Sequence, residues 1–139
     1  MNKILVEVSV GELLDKISIL EIKKEKISDP ESLKIINSEY LVLKEQLKKN
    51  IKTNSEVDRL FDSLKEINSK LWLIEDDKRM CEKNSDFGEK FIKLSRDVHF
   101  LILKCSEQNG NKRIYFFRLY SCFILSIFEQ AQLKSGFIV

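Results

Sequence analysis

Four successive stretches of this chain carry apolar residues at alternating three- and four-residue spacing. Each follows a polar residue suited to open a helix. That spacing gathers apolar side chains on one face of an α-helix and scatters them over both faces of a strand. Leu13, Ile17 and Leu20 form the first seam, widened by Leu14, Ile19 and Ile22. Leu33, Ile36, Tyr40, Leu43 and Leu47 form the second, a short heptad repeat. The third runs Leu60, Leu64, Ile67, Leu71 and Ile74, flanked by Phe61 and Trp72. The fourth runs Phe87, Phe91, Leu94, Val98, Leu101 and Cys105.

The punctuation agrees with the seams. Ser9 and Glu12 have the spacing of a capping box, so a helix is expected from about Val10 to Ile27. Asp29-Pro30-Glu31 supplies an acceptor, a proline at the first helical position and an acid at the positive end of the dipole. Asn50 to Asn54 interrupts the pattern, and Ser55 with Asp58 is the expected cap of the third helix. Lys83-Asn84-Ser85 ends it, and Asp86 is the expected cap of the fourth. The pairs Glu12/Lys16, Glu45/Lys49, Glu66/Lys70, Glu75/Arg79 and Glu89/Lys93 stand four apart with the acid first, the favourable order on a helix. Short connections between such helices favour antiparallel neighbours.

The expected fold is therefore all-α, an antiparallel bundle of four to five helices forming a single domain over residues 1–139. One proline and four glycines in 139 residues do not suit a turn-rich sandwich or a linker-rich chain. Ile4, Val6, Val8 and Val10 alternate, which adds a short N-terminal strand over 3–10 to the expectation. The fifth helix would follow the turn at Asn109-Gly110-Asn111. From Ile114 to Phe128, twelve of fifteen residues are apolar. As a helix that stretch is about 22 Å long, short of the roughly 30 Å membrane interior, so a buried helix or an interface is favoured over membrane contact.

Charge narrows the function classes. Twenty-four Lys and Arg against twenty-two Asp and Glu leave a net charge of +2, which argues against a nucleic-acid partner. The excess lies beyond residue 110, where Lys112, Arg113, Arg118 and Lys134 face one acid, Glu129. Cys81, Cys105 and Cys122 are odd in number and form no C-x-x-C, so reduced thiols in a cytoplasmic protein are expected. The N-terminal apolar stretch is broken by Glu7 and does not have the shape of a secretion signal.

No constellation of catalytic residues stands out. The four glycines are isolated, so phosphate-cradling loops of the Walker or dinucleotide kind are excluded. His99 has no nucleophile motif around it. The densest acidic cluster is Glu75-Asp76-Asp77-Lys78-Arg79 with Glu82 beyond. Carboxylates at helical spacing can hold a divalent cation or exchange protons. They equally form a solvated face bridged by the arginine, and a metal site would need further carboxylates such as Asp15, Glu21 or Glu25. No metal or cofactor is expected on these grounds.

Two blocks, EVSVGELLDKISILEIKKEKI from Glu7 to Ile27 and LWLIEDDKRMCEKNSDFGEKFIKLSRDV from Leu71 to Val98, resemble a bacterial and phage family of short helical proteins. That family is a domain of unknown function, with members encoded near glycosyltransferases or attached to repeat-containing ones. The likeness covers roughly residues 4–100. In the family the segment after the residue matching Arg96 continues into an Asn-Asp pair and a charged helix, from which Leu101 to Val139 departs.

The signature positions implied by the resemblance are Asp15, Lys16, Glu21, Trp72, Glu75, Asp76, Arg79 and Arg96. The expectation is that they form one polar network between helices, either an ion cluster that specifies the fold or a ligand site. The function expected is a non-catalytic interaction or accessory module with a protein partner or a second copy of itself. The alternative is a ligand- or metal-binding domain, or an enzyme accessory to glycosyl transfer, built on that network.

Overall fold

The computed structural model describes residues 7–52 and 54–108, with side chains through Lys104. Four helices follow one another: α1 (Val10–Lys26), α2 (Pro30–Asn50), α3 (Ser55–Lys83) and α4 (Glu89–Gln108). The fold is all-α, and among the described residues there is no strand. Glu7 to Ser9 carry no regular structure and Val10 already belongs to α1, because Ser9 caps the helix there. The rest of the expected strand lies outside the described residues. So do the turn at 109–111 and the apolar stretch Ile114 to Phe128.

The capping box of α1 is formed in both directions. The Glu12 amide donates to Ser9 Oγ at 3.2 Å, and the Ser9 amide donates to Glu12 Oε2 at 2.6 Å. At the start of α2, the Ser32 amide donates to Asp29 Oδ2 at 2.8 Å, with Pro30 at the first position. Two caps differ from expectation. Asn54, not Ser55, caps α3, its Oδ1 accepting from the Glu56 and Val57 amides at 3.1 and 2.9 Å. An acceptor one residue earlier reaches these amides, and Ser55 becomes the first helical residue. Asp86 accepts from the Gly88 amide at 3.2 Å in a local turn, and α4 opens from the Gly88 carbonyl, which accepts from Ile92. Phe87 therefore stands before α4 rather than on its seam, half exposed, with its ring edge-on to Phe91 at 5.4 Å.

α3 ends in a Schellman motif. The Asp86 amide reaches back to the Cys81 carbonyl at 2.9 Å, and the Ser85 amide to Glu82 at 3.0 Å. Ser85 adopts the left-handed conformation this requires, with φ 54°. Glycine is the usual residue there, since a side chain costs about 1–2 kcal/mol in that region.

The chain divides into two units, Met1–Lys65 and Glu66–Val139, with the boundary inside α3. In the first, α1 and α2 pack together across the three-residue link Ile27 to Asp29. Leu13, Leu14, Ile17, Leu20 and Ile22 of α1 are buried, with Ile36 and Leu47 of α2 and Leu64 of α3. Each such side chain contributes roughly 1.5–3 kcal/mol of hydrophobic stabilisation. In the second unit Ile67, Leu71 and Cys81 of α3 and Ile102 of α4 are buried. Lys104 on α4 adds a minor lowering of the Glu66 carboxyl on α3, behind that of Lys70.

Candidate polar network

α1 presents acids at Glu21 and Glu25, one helical turn apart, on the side that meets α2 and the first part of α3. Glu21 is the node. Its Oε1 accepts from the Tyr40 hydroxyl of α2 at 3.0 Å, and its Oε2 accepts from Lys65 Nζ of α3 at 3.0 Å. Lys65 also donates to Glu25 Oε1 at 2.9 Å. Three helices of the first unit are thus tied through one carboxylate. Lys24 Nζ lies 4.2 Å from the centre of the Tyr40 ring, and Lys44 Nζ lies 5.7 Å from both the Tyr40 and Phe61 rings. At such distances an ammonium is attracted to the ring face.

The environment shifts two of these groups. Burial raises the Tyr40 phenol above its ordinary value, and the bond to Glu21 raises it further by holding the proton. The bonds to Glu25 and then Glu21 raise the Lys65 ammonium. The Glu21 side chain is 20% exposed and that of Lys65 is 32%, so the cluster is partly shielded from solvent.

The eight residues expected to form one network fall in both units. Asp15, Lys16 and Glu21 lie in the first. Asp15 is buried at 1% exposure, while its neighbour Lys16 is exposed. The Ser18 hydroxyl donates to the Asp15 backbone carbonyl at 2.8 Å. Trp72, Glu75, Asp76, Arg79 and Arg96 lie in the second. Trp72 is half-buried on α3 and Arg96 is exposed on α4.

Beside the expected Glu75/Arg79 spacing, two shorter steps run along α3. Lys78 bonds Glu75 at 3.3 Å, and Arg79 pairs with Asp76. Both use i,i+3 spacing, which brings side chains together on a helix as readily as i,i+4. The expected pair Glu66/Lys70 is present at 2.5 Å, and Lys70 lowers the Glu66 carboxyl.

Sequence reasoning missed Tyr40 and Lys65 as partners of Glu21. Tyr40 was legible only as a seam residue and Lys65 only as a surface lysine, because their partner lies 19 and 44 positions away. Among the described residues, no group of three or more His, Cys, Asp or Glu side chains is arranged to hold a metal ion. No described helix is long and apolar enough to cross a membrane. His99 is exposed, its ring edge-on to Phe100, and Cys81 is a buried thiol. Cys122 lies outside the described residues, as does the side chain of Cys105.

Comparisons with family models, with curated proteins and with solved structures found no match for this chain.

Proposed function

We propose that this chain is a non-catalytic protein-interaction or accessory module that associates with a second copy of itself or with a protein partner. One observation carries the reading: large apolar side chains remain exposed at helical spacing after the inner seams are filled. Ile35 and Val42 stand seven apart on α2, at 67% and 55% exposure. Leu73 and Met80 stand seven apart on α3, at 57% and 50%. Ile92 and Phe100 on α4 are exposed to the same degree, beside a hollow of about 360 Å³ lined also by Glu89, Lys93, Arg96 and Asp97. Scattered apolar residues are ordinary on a surface, whereas aligned ones suit a helical partner. The near-even charge balance speaks for a protein partner over nucleic acid.

Light scattering after size exclusion, over a range of concentrations, tests this on the full chain and on a version ending at Gln108. A dimer or larger assembly is expected. A strictly monomeric chain at high concentration overturns self-association. Dissociation on truncation places the contact in the apolar tail, and retention places it on the outer faces of the helices. The free Cys81 thiol accords with a cytoplasmic setting, which fractionation of cells tests directly.

A second reading rests on Asp15. An acid at 1% exposure is costly to bury and is often kept for binding or chemistry. It supports a ligand-binding domain, and the family resemblance points that reading toward glycosyl transfer. Thermal melts with Mg²⁺, Mn²⁺ or sugar nucleotides test it, since a ligand of the folded state raises the midpoint. An unchanged midpoint with all of them removes the second reading.

A further inference from the structure

We draw no further inference here: the strongest candidate, the outer face of α4 where Ile92 and Phe100 lie exposed among Glu89, Lys93, Arg96 and Asp97, belongs to the interaction surface already proposed, and nothing in the structure shows what covers it.

Discussion

The Tyr40 hydroxyl donates to the Glu21 carboxylate at 3.0 Å, joining α2 to α1 beside the point where Lys65 of α3 reaches the same carboxylate. A neutral donor and a charged one thus occupy the two oxygens of one acid. Water can still reach this site, so the bonds add modest stability and chiefly select which faces of the three helices meet.

Removing the donors separately tests that division. Tyr40→Phe keeps the ring under Lys24 and loses only the hydroxyl, and is expected to cost about 1 kcal/mol in urea unfolding. Glu21→Ala removes the acceptor for both partners and is expected to cost more than Tyr40→Phe. A double-mutant cycle of Tyr40→Phe with Lys65→Met measures the coupling through Glu21. Strict additivity would show that the two bonds act independently.

Alkaline pH acts on the same cluster. The Tyr40 and Lys65 values are both raised in the folded state, so folding favours the protonated form of each. Their contributions are fully present below the ordinary values of 10.0 and 10.5 and are lost as pH rises through the folded values. Denaturant midpoints are expected to fall above about pH 10, and less so in Tyr40→Phe. Tyrosinate absorbance should show a late-titrating component that is lost in Tyr40→Phe.

Acid acts elsewhere. The Asp29 carboxyl is lowered by its bonds to Ser32, so its contribution is present above the ordinary value of 3.8 and is lost as pH falls through the folded value. Asp29→Asn keeps an acceptor at the cap but removes the titration. The variant is expected to lose less stability than the parent on acidification, measured by helical circular dichroism in mild denaturant. Equal losses in the two chains would assign the acid dependence to other groups.

Ser85 offers a stabilising change. Ser85→Gly removes the side chain from a left-handed position while leaving both backbone bonds of the Schellman motif in place. A gain of about 1 kcal/mol is expected, partly offset by the greater freedom of glycine in the unfolded chain. Ser85→Val should do the opposite, because a branched side chain tolerates that conformation poorly.

The helices were legible wherever their causes lie within four residues. Ser9 and Glu12 cap one another, Asp29 with Pro30 opens α2, and Glu66 meets Lys70, all within one turn of backbone. Leu64, Ile67 and Leu71 are buried as their spacing demands. Where two neighbouring acceptors compete, as at Asn54 and Ser55, periodicity alone does not choose, and backbone geometry selects Asn54.

The sequence by itself determined the described helices and the inner faces of α1 to α3, because propensity, capping and amphipathic spacing operate between near neighbours in the chain. On α4 the buried residue is Ile102, one position beyond the expected seam residue Leu101. Tertiary structure alone decided the partners of Glu21. Tyr40 and Lys65 come to it from other helices, and a carboxylate on an isolated α1 would have had only its own helix and water within reach. Which long-range polar pairs form depends on which helix faces are brought together, and that is settled when the apolar seams pack.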